Sequence, residues 1–161
     1  ETHVRVVGAR GGRLEWVSDP LAGGDGVLLD ETTVSVWDGR LVACCRIQGF
    51  EGRGSGARYL AWGDGQSWEG GRLWELEDPG CNARLVRDLL VHPHSRRARR
   101  AGALVRLAPP WEEGMSAEVL ASFGEGGFGY SDMALVGREL VFERDRGLWE
   151  ATLPTSGVLG E

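Results

Sequence analysis

Eighteen basic residues, all of them arginine, set the chemistry open to this chain. With no lysine, a Schiff base on lysine and the lysine of a phosphate-binding P-loop are both excluded. Arginine offers instead a planar, permanently charged fork that grips a carboxylate through two parallel hydrogen bonds. Acids outnumber bases 24 to 18, for a net charge of −6, so a broad basic face is not available and nucleic acid is not an expected partner. Any anion site must be local. The dense cationic run Arg96-Arg97-Ala98-Arg99-Arg100 reads by itself as a solvated loop.

Other chemical motifs fail on their spacing. Gly124-Glu125-Gly126-Gly127-Phe128-Gly129 satisfies Gly-x-Gly-x-x-Gly, but a dinucleotide needs a helix directly behind it, and residues 130–142 read as two strands around Gly137. The run is better read as a loop delivering Tyr130. His92-Pro93-His94 has no third ligand at a useful spacing, so no metal is expected and the pair reads as solvated. No nucleophile elbow presents a serine. Cys44, Cys45 and Cys81 make neither a disulfide framework nor a zinc set, and each reads as a reduced small hydrophobe.

The elements that must position any site are short and β-rich. At 161 residues with 42% apolar content the chain has the size of one domain, spanning residues 1–161, with a sizeable core. Its 26 glycines follow no collagen period and argue for many tight turns. Apolar runs at Val4–Val7, Val34–Trp37, Leu41–Cys45, Tyr59–Trp62, Arg72–Leu76, Leu85–Val91, Leu104–Leu107, Glu118–Phe123, Met133–Val136, Glu139–Glu143 and Leu148–Leu153 fit strands. Turn signals at Gly11-Gly12, Asp38-Gly39, Asp64-Gly65, Gly70-Gly71 and Val136-Gly137 separate them at hairpin intervals. The class is all-β. No apolar run is long enough to span a membrane as a helix. Turns ending in Trp16, Trp68 and Trp111 recur at intervals of 52 and 43 residues, the period of propeller blades; a plain β-sandwich is the rival arrangement.

Against this background six short motifs share an order with a known family. Asp64-Gly65-Gln66-Ser67-Trp68 resembles the Asp-box turn of sialidases, one residue short between Asp and Gly. Before it, Asp30-Glu31-Thr32-Thr33-Val34-Ser35-Val36-Trp37-Asp38-Gly39-Arg40-Leu41 resembles that family's strand pair, which continues here to Arg46. After it come Asp78-Pro79-Gly80-Cys81, Val91-His92-Pro93, Arg100 through Leu107, and Gly129-Tyr130-Ser131-Asp132. The resemblance runs from about Gly26 to Leu153 and is to the C-terminal part of a sialidase catalytic domain.

The resemblance implies an exo-α-sialidase, a retaining glycoside hydrolase of terminal sialic acids acting without a cofactor on sialylated glycoconjugates. It assigns Tyr130 as nucleophile and Glu31 as the base beside it, an arrangement outside the usual two-carboxylate scheme of glycosidases. Arg46 and Arg100 correspond to two of the three arginines that bind the substrate carboxylate, with Arg99 an equal alternative to Arg100. The Glu31 carboxylate is then expected within hydrogen-bond reach of the Tyr130 hydroxyl. Six-bladed propellers carry this chemistry, and 161 residues at roughly 45 per blade give about three to four blades. The family's first arginine, its acid/base aspartate and the N-terminal half that bears them have no counterpart here, so little turnover is expected of these residues alone. The alternative is a non-catalytic sialidase-like propeller binding glycan or protein.

Overall fold

A computed structural model describes residues 5, 7–10, 13–16, 18–23, 27–48, 56–137, 139–144 and 147–153. Among them the chain is all-β, without an α-helix, and every strand pairing is antiparallel. A hairpin of β1 (Val7–Arg10) and β2 (Arg13–Trp16) comes first. A four-stranded meander follows: β3 (Leu28–Trp37), β4 (Arg40–Gln48), β5 (Ala57–Gly63) and β6 (Trp68–Glu75). The next meander holds β7 (Arg84–Val86), β8 (Leu89–Pro93), β9 (Gly102–Leu107) and β10 (Ala117–Ser122). Last are β11 (Met133–Val136), β12 (Glu139–Arg144) and β13 (Gly147–Thr152).

Local sequence explains the turns. Asp38 and Gly39 join β3 to β4 with φ of 47° and 75°, the two left-handed residues that a tight hairpin needs to match strand twist. At the Asp64 turn, the carboxylate Oδ1 accepts from the Gln66 N–H at 2.8 Å and the Ser67 N–H at 2.7 Å. Those bonds favour the charged form and hold the Asp64 carboxyl below its ordinary value. Trp68 closes the turn by donating its indole N–H to the Asp19 carbonyl at 3.1 Å.

Gly70-Gly71, read as a turn, lies inside β6, where the two glycines leave room for the Trp62 and Tyr59 rings of β5, and two boundaries differ from the sequence reading as well. Leu85–Val91 is two strands, because Arg87 takes φ of 54° and turns the chain with Asp88 between β7 and β8. Arginine in that conformation gives no turn signal, unlike glycine or asparagine. The first strand starts at Val7, and Val4 and Val6, like Gly11-Gly12, lie outside the described residues.

The central sheets are apolar on both faces, which forces them to stack. Val42 and Cys44 of β4 and Leu60 of β5 face Leu85, Leu90, Ala103, Val105 and Leu107 of the β7–β10 sheet. Ala43, Cys45, Ile47 and Ala61 turn the other way, toward Leu21 and Val27. Leu89, Val91 and Leu104 meet Met133, Leu140 and Phe142 of the last sheet. Successive sheets also touch through their first strands: β7 lies against β3 and β11 against β7. There the Arg87 N–H donates to Ser35 Oγ at 2.7 Å, joining β7 to β3.

Burial fixes the state of the thiols. Cys44, Cys45 and Cys81 are free, fully buried and raised in pKa by loss of solvent, Cys45 to about 12. Because the thiolate is the nucleophile, the native chain should not react with an aromatic disulfide reagent at neutral pH. Denaturation in urea should release all three; prompt reaction of even one in the native chain would contradict this packing.

Candidate functional site

Glu31 and Arg46 meet through strand register. Thr32 pairs with Cys45, and continuing that register one step sets Glu31 beside Arg46 at the edge of a bulge between Leu29 and Thr32. The Arg46 Nη1 donates to Glu31 Oε2 at 2.7 Å, with Asp30 Oδ2 at 3.7 Å. The Glu31 hydrogen bond outweighs partial burial and raises the Arg46 pKa, with the charges of Glu31 and Asp30 and the field of Tyr130 adding in the same direction. Arg46 is therefore a fixed cation with two carboxylates beside it and a phenol within electrostatic reach.

Tyr130 lies on the segment between β10 and β11, half exposed, on the rim of a cavity of about 300 Å³. Thr32 and Thr33 of β3, Asn82 and Arg84 around the start of β7, and Ser131 line the same cavity. The Arg99 guanidinium sits over the phenol ring, 5.1 Å from its centroid, a cation–π contact. Arg100 is exposed in the same loop and pairs through its backbone with Gly127. Of the four residues the sequence singles out, Glu31 and Arg46 are in contact, Tyr130 acts on Arg46 through its electrostatic field, and the cation over the Tyr130 ring is Arg99. The Tyr130 hydroxyl makes no hydrogen bond with Glu31. The Glu31 carboxylate is bonded to Arg46 through Oε2.

Behind this cluster lies a charged network that the sequence reading missed. Arg58 of β5 is 1% exposed and donates from Nε to Asp78 Oδ2 at 2.7 Å and from Nη2 to the Cys81 carbonyl. The same Asp78 oxygen is 3.1 Å from His92 Nδ1, and Asp78 Oδ1 accepts from the Gly80 N–H at 2.7 Å. His92 Nε2 in turn is 3.3 Å from His94 Nδ1. The solvated reading of the histidine pair is therefore wrong for His92, which is fully buried at the interface between two sheets. Burial would raise the Asp78 carboxyl, but the Arg58 charge and the His92 hydrogen bond outweigh it and hold it below the ordinary carboxylate value. For His92 burial wins over Asp78 and the pKa is lowered, so the ring is neutral, with Nδ1–H donating to Asp78 and Nε2 accepting from His94.

The arrangement sets one guanidinium, that of Arg99, directly over the phenol and a second, that of Arg46, in electrostatic reach of it. Among the described residues no three His, Cys, Asp or Glu side chains gather as a metal site. Neither a protein-family model nor a curated protein matches this chain.

Proposed function

We propose that this chain is the nucleophile-bearing part of an exo-α-sialidase, with its sheets as blades of a propeller. The observation that carries the reading is an Arg46–Glu31 pair in electrostatic reach of Tyr130, whose ring lies under Arg99 at the rim of the cavity, although residues 31 and 130 are 99 positions apart. For the blades, the support is the stacking of successive meanders with their first strands in contact. A sialic acid brings a carboxylate to Arg46 and the Arg99–Arg100 loop. A neutral phenol can approach such an anion without the repulsion a carboxylate nucleophile would meet. In the reaction Glu31 takes the phenol proton, Tyr130 Oη bonds to the anomeric carbon, and the bond from that carbon to the leaving oxygen breaks. The second reading, a non-catalytic glycan- or protein-binding module, draws on the Glu31 carboxylate being bonded to Arg46 and not to the Tyr130 hydroxyl.

A sialosyl fluoride carrying a second fluorine beside the anomeric carbon separates the two. Fluoride leaves without a proton, so the test does not depend on an acid, and the second fluorine slows hydrolysis of the adduct. Mass spectrometry should find one added sialosyl group on the peptide containing Tyr130. Binding of free sialic acid without any adduct would favour the module, and absence of both would overturn the sialic-acid reading.

A further inference from the structure

Tyr130 is 52% exposed, while Phe128 and Ser131 on either side of it along the chain are buried, each with its own anchor. Two residues before it, Phe128 is 1% exposed with its ring lying on Gly102 at the start of β9. A Cβ on Gly102 would stand 2.1 Å from that ring, so only glycine leaves room for it. Phe123 stacks on Phe128 at 5.7 Å and on Phe142 of β12 at 4.2 Å, which ties the ring into the core between the last two sheets. One residue after Tyr130, the Ser131 hydroxyl donates to the Val91 carbonyl of β8 at 3.2 Å. The backbone completes the hold. Phe128 N–H donates to the Arg99 carbonyl at 2.9 Å and Ala101 N–H to the Gly126 carbonyl at 3.1 Å, joining the segment to the loop that carries Arg99.

We infer that Phe128, seated on Gly102, and Ser131, bonded to Val91, are positioning residues that hold the Tyr130 phenol at the cavity rim beneath Arg99. The reaction they serve rests on the sialidase reading; the placement of the ring does not. Phe128 lies outside the cavity lining, Ser131 belongs to it, and both act on the backbone flanking the phenol. A displacement of about 1 Å in a reacting group can lower a rate by about 10²-fold, so the anchors have a measurable consequence.

The chain has two tyrosines, so incorporation of fluorotyrosine gives two fluorine resonances, and Tyr130→Phe identifies one of them. Arg99→Gln should shift the Tyr130 resonance, because it removes the cation over the ring. Gly102→Ala should move that resonance and abolish its response to Arg99→Gln. Phe128→Leu added to Gly102→Ala makes room for the new methyl and should restore the response. Labelling by the difluoro sugar should fall about 10²-fold in Gly102→Ala and recover at least tenfold in the double variant. Ser131→Ala crowds nothing and should shift the resonance in its own right, so the inference is decided even if Gly102→Ala does not fold. An unchanged resonance, with an unchanged Arg99 response, in Ser131→Ala and in folded Gly102→Ala would overturn it. If the unsubstituted chain takes no label while the resonances respond as described, the sialidase reading fails and the positioning stands.

Discussion

Asp78→Asn should lower the stability of this chain by about 3 to 5 kcal/mol, the range for removing one partner of a buried ion pair. Arg58 is 1% exposed and Asp78 fully buried, so the guanidinium left behind has no water to turn to. Its Nη1 already lacks an acceptor, and the Cys81 carbonyl alone cannot balance the charge. Asparagine keeps the shape and one acceptor, which separates loss of charge from loss of packing. The effect reads out as a lower midpoint in urea with an unchanged slope. A shift worth less than about 1 kcal/mol would mean that the pair is no stronger than an exposed one.

The same network sets the pH dependence of folding. Asp78 and His92 both have folded pKa values below their unfolded ones, so the unfolded chain takes up protons more readily than the folded chain. Their contribution is complete above the unfolded histidine value of about 6.5 and declines as pH falls below it. The first loss, from about pH 6.5 downward, belongs to His92, and a second begins near pH 4 as unfolded Asp78 protonates. In Asp78→Asn the second loss should shrink to the part that Asp64, also held below its ordinary value, contributes.

Strand content was legible because alternating apolar residues and glycine turns are local signals. The Glu31–Arg46 contact was half legible: the Asp38-Gly39 hairpin fixes the register, and the register brings residue 31 near residue 46. What it could not give was the place of Tyr130, which arrives on the connection between two other sheets and lies under Arg99. The Arg58–Asp78–His92 network was illegible for the same reason. Its members come from β5, the β6–β7 connection and β8, and nothing in Tyr-Leu or Val-His-Pro says which side chain faces an adjoining sheet. One signal was available in hindsight. Arg58 occupies an alternate position with Leu60 on a strand whose inward face is otherwise apolar, and a charge at such a position demands a buried partner.

Tyr130→Phe and Glu31→Gln should separate the chemistry of the site from its binding. Phenylalanine keeps the ring under Arg99 and removes the only atom that can bond to the anomeric carbon, so adduct formation should be lost entirely while free sialic acid still binds. Glutamine at position 31 removes the base, and the labelling rate should fall by about 10² to 10⁴, the usual worth of a general base. Binding should move the other way. Glu31 Oε2 lies 2.7 Å from Arg46 Nη1, so an incoming carboxylate must compete with a resident one for the same guanidinium. Neutral glutamine removes that competitor, and affinity for sialic acid, measured by calorimetry at neutral pH, should hold or rise a few-fold as the rate falls. A parallel loss of both would assign Glu31 to orienting Arg46 alone, and adduct on the Tyr130→Phe chain would place the nucleophile elsewhere.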